Sequence, residues 1–253
     1  MPIIAMSNLL SGLSNWITNF NVQDFLILIL VLCISLSIHE VAHGWVANKL
    51  GDDTAYLAGR LTLNPLAHLD LVGSLVFIFS YITLGRGFGW AKPVPINPTR
   101  FDQKYTMKKG IVLTSLAGPG SNIILAIISN IIFFILLTVF TVAKVDSSNV
   151  LADIFLQLFN MLYLSNYILA IFNLLPIPPL DGFKIFGALL PDRLYYKLMS
   201  YERYIGMVFL FVILFGRNIL STVLDVVSIP FDFVIFNPLE SLFRYIWQSL
   251  GLV

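Results

Sequence analysis

The stretch from Phe25 to Lys49, FLILILVLCISLSIHEVAHGWVANK, joins an unbroken apolar run to two histidines and a glutamate. A helix needs about 20 apolar residues to cross the hydrocarbon core of a bilayer, and residues Asp24 to Ala47 supply them. Ionisable side chains at such a depth are costly and mark functional sites by default. The stretch therefore predicts a membrane-spanning helix whose last third carries a polar site.

The composition of the whole chain is that of a membrane protein. Of its 253 residues, 58% are hydrophobic and 11% are charged, whereas a soluble domain has about 25% charged residues. Mean hydropathy is +0.86. The net charge of +1 gives no reason to expect a nucleic-acid partner, so the lipid bilayer is the expected surrounding.

Further apolar runs predict an all-α membrane protein, a polytopic bundle of about five to six membrane segments that forms a single domain over residues 1–253. The polar stretch after the first helix is expected to form loops or short β-strands. Beyond the first helix, the apolar runs cover residues 69–85, 111–143, 154–175 and 205–227.

The two ends of the chain give weaker signals. Residues 1–20 contain no Lys or Arg, which favours an interfacial helix over a cleaved signal peptide. The tail after residue 230 is half apolar and aromatic, which is typical of an interfacial helix or of a final short membrane segment.

Basic residues indicate which loops face the cytoplasm. Residues 86–109 contain six Lys or Arg against one acid, Asp102, and residues 184–203 contain four. Short basic loops prefer the cytoplasmic side, so the first helix is expected to end there. If residues 69–85 begin and end on that side, they form a re-entrant hairpin, broken near Gly73. A full span with a different order of loops stays open.

The motif HEVAH places His39 and His43 four residues apart, so both imidazoles share one helix face and can bind one metal ion. Glu40 lies beside them and can take a proton from a metal-bound water, which is the arrangement of zinc hydrolases. The alternative is two buried histidines without a metal, but it leaves Glu40 desolvated and unpaired. A divalent cation offsets that cost, so the motif favours a metal site.

Zinc in such sites takes a third protein ligand, and the sequence offers few candidates. The only other histidine is His68, which can approach the site, and Lys49 stands where a third histidine six residues past His43 would be. Asp181 is favoured, because the prolines of PIPPLDG interrupt a membrane-depth helix and broken helices line polar cavities. The alternative for PIPPLDG is a plain turn leaving the membrane.

Several motifs in combination resemble the site-2 protease family of intramembrane zinc metalloproteases. These are HEVAHG, AGPGSN opening a helix, and FNLLPIPPLDG closing one. The phrases GRLTLNPLAHLD and GWAKPVPINPTRF are similar to the compact bacterial and archaeal branch of that family, which lacks PDZ and CBS domains. The resemblance runs from about Ile38 to Pro191.

The resemblance implies a catalytic core of three helices within about residues 24–191. It implies that His39, His43 and Asp181 hold Zn²⁺ and that Glu40 is the general base. It also places the zinc toward the cytoplasmic side, in agreement with the charge of the loops. The protein is then expected to be a multi-pass protein in the cell membrane of a bacterium or archaeon.

The function expected from the sequence is a zinc endopeptidase that hydrolyses peptide bonds in or near transmembrane segments of protein or peptide substrates. A substrate helix must unwind first, because its carbonyl groups are engaged in backbone hydrogen bonds. The alternatives are a membrane metal-ion transporter and an inactive substrate-binding scaffold. A transporter would show several His or Asp sites along a path, and an inactive scaffold would not need an intact HEVAH motif.

Other polar residues are candidates for supporting roles. Asn173 lies about two helical turns before Asp181 and can donate to the oxyanion or clamp the substrate, with a helix–helix hydrogen bond as the alternative. Asn64 and His68 can orient a ligand or a water, or belong to an ordinary hydrogen-bonded loop. Asn122 is expected to serve close helix packing, together with the glycines of AGPGSN.

The segment GWAKPVPIN is expected to lie outside the hydrocarbon or along a cavity, because it is rich in Gly and Pro. This segment and the loop before Leu69 can offer a backbone edge on which an unwound substrate pairs. An ordinary loop with Trp90 at the headgroup level is the alternative.

Overall fold

The computed structural model describes residues 21–84, 87, 89–146 and 148–252. The interfacial helix expected within residues 1–20 lies outside the described residues. Within the described residues the α-helices are, in chain order, α1 Val22–Lys49, α2 Thr54–Leu57, α3 Leu71–Leu84, α4 Met107–Val142, α5 Val150–Asn173, α6 Asp181–Gly187, α7 Asp192–Ser200, α8 Glu202–Phe215, α9 Arg217–Phe231 and α10 Asn237–Ser249.

Four helical segments are long and apolar enough to cross a membrane by length and composition. They are α1, α4, α5 and a continuous segment, Ile219–Ser249, in which the π-helical turn Asp232–Phe236 joins α9 to α10. A shorter apolar helix, Leu71–Ile82, lies within α3. The predicted all-α membrane protein is confirmed. The short β-strands are reduced, in the described part of the chain, to one isolated bridge between Leu69 and Ala91.

Helices α1, α4 and α5 pack against one another and form the core, as the resemblance implies. Small residues such as Ala126 and Ala170 are fully buried between them and allow the helices to approach closely. The residue before each of these helices caps its first turn. The side chains of Asn21, Thr106 and Asn149 accept hydrogen bonds from backbone N–H groups at the starts of α1, α4 and α5 respectively. Such capping residues stabilise a helix start by about 1 kcal/mol.

The motif AGPGSN lies inside α4 and does not open it, contrary to the expectation from the sequence. The helix begins at Met107, where the Thr106 hydroxyl accepts a bond from the Lys109 N–H, and it continues through Pro119. The basic residues that precede the apolar run therefore form the first turn of the helix. Because the helix begins at Met107, the glycines of the motif lie about three turns inside α4.

The chain leaves the bundle after Leu69 and returns to the same end of it at Ala91. Helix α3 is about 21 Å long by its 14 residues, which is short for a hydrocarbon core of about 30 Å. After α3 the chain runs back along the helix, since Gly87 lies against Phe77 and Ala91 pairs with Leu69. The two ends of the excursion therefore lie side by side, as in a re-entrant hairpin.

The predicted break near Gly73 is absent, because α3 is helical throughout Leu71–Leu84. Gly73 has another role. A Cβ atom there would collide with the carbonyl oxygen of Trp90, and a Cβ atom on Gly89 would lie 2.5 Å from the Gly73 carbonyl oxygen. The two glycines thus let the returning segment pack directly on the first turn of α3.

The apolar run expected as one segment after residue 205 is divided at Gly216, where α8 ends and α9 begins. From Ile219 the helix continues to Ser249 through Pro230, and a single π-helical turn, Asp232–Phe236, follows the proline. The tail is therefore the second half of a long apolar segment. The indole of Trp247 donates to the Thr138 hydroxyl at 2.6 Å and holds the tail against α4.

Candidate metal centre

Two histidines of α1 and one aspartate of α6 converge in the core. The Nε2 atoms of His39 and His43 lie 3.0 Å apart. Oδ2 of Asp181 lies 3.3 Å from the first of these atoms and 3.0 Å from the second. All three residues are buried, and among the described residues they form the one group of three or more His, Cys, Asp or Glu that could hold a metal ion.

The other nitrogen of each ring is held by an acceptor on α4. His43 Nδ1 lies 2.6 Å from the Thr114 carbonyl oxygen, and His39 Nδ1 lies 2.5 Å from Asn122 Oδ1. A carbonyl oxygen can only accept, so His43 donates from Nδ1 and keeps the lone pair of Nε2 for the cluster. The tautomers follow from these partner atoms.

This cluster fits zinc. Three acceptor atoms face one another with no proton donor among them, which is repulsive unless a cation lies between them. Two imidazole nitrogens and one carboxylate oxygen are a ligand set of catalytic zinc sites, which keep a fourth position open. Ligands at about 2.0–2.1 Å in a tetrahedron lie about 3.3 Å from one another, and the atoms of this cluster are 3.0–3.3 Å apart.

Glycines on α4 and α6 make room for this cluster. A Cβ atom on Gly118 would lie 2.5 Å from His43 Cε1 and 2.6 Å from His39 Cε1, so only glycine fits beside the two rings. A Cβ atom on Gly182 would collide with the carbonyl groups of Leu174 and Leu175. The glycine after Asp181 therefore lets the PIPPLDG turn fold back tightly enough to bring the carboxylate to the histidines.

The Asp181 carboxylate is held in its charged form. In the metal-free centre burial acts to raise its pKa, but a proton carried on Nε2 of His39 or His43 is donated to the carboxylate, which outweighs burial and holds the pKa of the carboxyl well below its usual value. Its second oxygen, Oδ1, lies 3.7 Å from Lys184 Nζ. A charged carboxylate is the form that binds a metal ion.

Glu40 lines the same cavity without joining the cluster. Its Oε2 atom accepts a hydrogen bond from the Val94 N–H at 2.8 Å. The cavity has a volume of about 390 Å³ and is also lined by His39, His43 and Asp181. Glu40 is therefore beside the place where a metal ion and a water would meet a substrate.

Residues 91–97 pass along the cavity, and the prolines at positions 93, 95 and 98 favour an extended backbone at the residues that precede them. The Lys92 N–H donates to the His68 carbonyl at 2.8 Å, and the Asn97 N–H donates to Asp52 Oδ2 at 2.6 Å. From the other side, Arg60 Nη2 donates to the Lys92 carbonyl at 2.8 Å. These contacts hold the segment in place beside Glu40.

The remaining candidates from the sequence have different locations. Asn173 lines the cavity, where its amide donates to the Leu169 carbonyl at 2.9 Å. His68 bonds the Thr62 carbonyl through Nε2 at 2.7 Å, and Asn64 accepts from the Leu66 N–H. The structure does not bring His68 or Asn64 to the cluster. Their bonds are those of an ordinary loop, because Pro65 starts a 3₁₀ turn there that Asn64 caps.

Asn122 is the functional candidate that sequence reasoning missed, since it is expected there only as a packing residue. Its carbonyl oxygen orients His39, and its position on the core-facing side of α4 brings it there. The available signal was its distance of four residues from Gly118, which places the glycine and the amide on one face of a helix.

The fold and the site define a multi-helix membrane protein with a buried centre suited to zinc. The family model of peptidase family M50, the site-2 protease family, matches residues 27–216, and the chain belongs to this family. The predicted resemblance is thereby confirmed, and with it the zinc metalloprotease class and the zinc cofactor. The protein is an integral membrane protein.

Several bacterial relatives are similar to the chain. YwhC of Bacillus subtilis, named as a zinc metalloprotease, is 40% identical over 200 residues, which cover 78% of this chain and 85% of YwhC. The Rip2 proteins of Mycolicibacterium smegmatis and Mycobacterium tuberculosis, named in the same way, are 32% and 30% identical over 167 and 178 residues. These matches cover 66% and 68% of this chain but 57% and 62% of the Rip2 proteins. No solved structure matches the chain.

Proposed function

We propose that the protein is an intramembrane endopeptidase in which His39, His43 and Asp181 hold zinc and Glu40 is the general base. Its substrates are peptide bonds in or near the transmembrane segments of other membrane proteins. The observation that carries this proposal is the buried cluster opening into a cavity that also contains the Glu40 carboxylate. A transport path needs successive polar sites, and the described residues show one such cluster.

The residues of the cavity divide the chemistry among them. Zinc, when bound, acts as a Lewis acid that activates water and polarises the peptide carbonyl. Glu40 takes the proton of the attacking water and delivers it to the leaving amine. The Val94 N–H holds one carboxylate oxygen of Glu40, and no hydrogen bond among the described residues uses the other, Oε1. That oxygen is the proton acceptor.

Asn173 is the proposed donor to the oxyanion. Its amide lies on the cavity wall and, among the described residues, bonds only within its own helix, to the Leu169 carbonyl. Rotation of the side chain exchanges this bond for one to the substrate. A donor that is aimed at a developing oxyanion contributes about 3 kcal/mol to catalysis.

The extended segment is the proposed docking edge for an unwound substrate. In an extended chain alternate N–H groups point to the same side, so we expect the Ile96 N–H to lie on the side of the Val94 N–H that reaches Glu40. The Ile96 N–H has no hydrogen-bond partner among the described residues. A substrate strand that pairs there enters beside the general base with its backbone groups satisfied.

The proposed orientation places the site toward the cytoplasm of a bacterial cell. The end of the bundle where α1 ends and α4 begins carries Lys49, Lys92, Lys108 and Lys109, and loops rich in such residues prefer the cytoplasmic side. We further propose that the whole chain acts as one domain, with residues 24–191 as the catalytic core.

Removal of zinc should abolish cleavage reversibly. The purified protein, reconstituted in liposomes with a single-span model substrate, is expected to cut within or next to the span, with the position read by mass spectrometry. A chelator such as 1,10-phenanthroline should stop the reaction, and about one equivalent of zinc should restore it. If cleavage persisted after complete removal of the metal, or if zinc flux without any cleavage were observed, the proposal would be wrong.

The substitution Ile96→Pro should weaken substrate binding and leave the metal centre intact. It removes an N–H group that makes no hydrogen bond among the described residues, but it also removes the Ile96 side chain from the cluster around Ala47, Leu50 and Phe101, so thermal unfolding of the variant is measured beside its kinetics. We expect kcat/KM to fall about tenfold, the equivalent of one backbone hydrogen bond, mostly through a higher KM. Pro95→Ala is the matched control, because it alters the neighbouring position on the opposite side of the segment. Equal losses in the two variants would contradict the docking edge.

A further inference from the structure

Two buried asparagines connect α5 to the metal centre. Nδ2 of Asn122 donates to Oδ1 of Asn166 at 2.6 Å, and Oδ1 of Asn122 lies 2.5 Å from Nδ1 of His39. Both asparagines have 0% of their surface exposed. At this depth in the membrane, the polar atoms of the two buried amides need hydrogen-bond partners within the protein.

A backbone carbonyl sets the direction of this chain of amides. Nδ2 of Asn166 lies 2.8 Å from the carbonyl oxygen of Leu162, one turn earlier on α5. A carbonyl oxygen can only accept a hydrogen bond, so the NH₂ group of Asn166 must face it. The oxygen of Asn166 then faces Asn122 at 2.6 Å, so Asn122 turns its own NH₂ group to Asn166 and its oxygen to His39. The Ser35 carbonyl oxygen lies 3.5 Å from the same NH₂ group and, at that distance, supports this orientation only weakly.

The last bond of the chain decides which nitrogen of His39 carries the proton. An oxygen at Nδ1 requires a proton on Nδ1, which leaves the lone pair of Nε2 for a metal ion. If the Asn122 amide were reversed, its NH₂ group would face Nδ1 and favour a proton on Nε2. That proton would occupy the position that zinc needs.

We propose that Asn166 is a positioning residue that acts through Asn122 to hold His39 in its zinc-binding tautomer. The proposal rests on the proposed function only in taking His39 as a zinc ligand. Asn166 touches neither the cluster nor the cavity, so its contribution is one of direction: the Leu162 carbonyl orients Asn166, and Asn166 orients Asn122.

Ser35 provides a matched control within the same set of contacts. Nδ2 of Asn166 also donates to Ser35 Oγ at 2.8 Å, and that hydroxyl donates to the Val31 carbonyl at 2.7 Å. Loss of the hydroxyl removes an interhelical hydrogen bond but leaves the Leu162 carbonyl to orient Asn166. If the amides served only to hold the helices together, Ser35 and Asn166 would matter in the same way.

The test compares zinc affinities of the full-length protein in detergent, measured by competition with a chromophoric chelator. We expect Asn166→Leu to lower the affinity about tenfold and Ser35→Ala to change it by less than about twofold. Thermal unfolding of the metal-free variants shows whether the fold is kept. Equal effects of the two substitutions on zinc affinity, or no effect of Asn166→Leu, would overturn the proposal.

A second substitution makes the acceptor at His39 independent of the orientation of the side chain at position 122. In Asn122→Asp both carboxylate oxygens accept, so His39 finds an acceptor at Nδ1 whichever way the group is turned. Adding Asn166→Leu to Asn122→Asp should therefore lower zinc affinity by less than about twofold, against about tenfold in the unchanged background. Additive losses would indicate a merely structural role.

A measurement on the unaltered protein keeps the proposal testable if a variant does not fold. The chain has only three histidines, so a ¹⁵N spectrum of the zinc-loaded, histidine-labelled protein can resolve them all. We expect His39 to carry its proton on Nδ1 and to bind zinc through Nε2, and the opposite assignment would overturn the proposal. His43→Ala tests the ligand set separately: zinc retained in that variant would count against the proposed function and not against the amide chain.

Discussion

Replacing Glu40 with glutamine should abolish proteolysis while zinc stays bound. The amide keeps the shape of the side chain and can still accept the Val94 N–H, but it cannot take a proton from water. General acid–base catalysis by a positioned side chain is worth about 10²–10⁴-fold. We therefore expect kcat to fall by about a thousandfold, with one equivalent of zinc retained.

The control for this substitution is Glu240→Gln on α10. Glu240 is exposed, and its ion pair with Arg244 at 3.6 Å is of the kind that contributes little to stability. Its removal should leave both cleavage and zinc content unchanged. Cleavage by the Glu40 variant at more than about a tenth of the original rate would show that another group moves the proton.

Replacing Gly118 with alanine should destroy the metal centre without unfolding the protein. The added methyl group would lie 2.5 Å from His43 Cε1 and 2.6 Å from His39 Cε1. The rings cannot yield easily, because Thr114 and Asn122 hold their Nδ1 atoms. We expect zinc affinity to fall by on the order of 100-fold or more, with a matching loss of cleavage.

Gly120→Ala is the control, two residues further along the same helix. A Cβ atom there meets nothing within 4 Å, so zinc affinity should be unchanged. Alanine is favoured over glycine inside a helix by about 1 kcal/mol, so the thermal stability of this variant should be equal to or above that of the original protein. Normal zinc content in the Gly118 variant would contradict the close packing of the two rings against α4.

Residue types and local periodicity were sufficient to predict the fold class and two of the three residues of the proposed ligand cluster. The spacing of His39 and His43 predicts a shared helix face because helical geometry is local. The length and hydropathy of α1, α4 and α5 predict spans because the bilayer has one thickness. Asp181 required the additional argument that a helix broken by prolines lines a polar cavity.

The parts that could not be predicted depend on contacts between distant segments. The bond of Glu40 to Val94 and that of His39 to Asn122 join residues 54 and 83 positions apart, and no local pattern encodes such a pairing. The sequence predicted a helix break near Gly73, but this glycine instead allows the close approach of another segment, because glycine can serve either purpose. Distinguishing the two requires the position of Trp90, which only the folded chain supplies.

Zinc-edge anomalous diffraction from crystals of the zinc-loaded protein tests the central claim most directly. The ion should lie within about 2.0–2.2 Å of Nε2 of His39, Nε2 of His43 and Oδ2 of Asp181. An ion bound elsewhere, or one bound by the histidines with the Asp181 carboxylate outside coordination distance, would contradict the account.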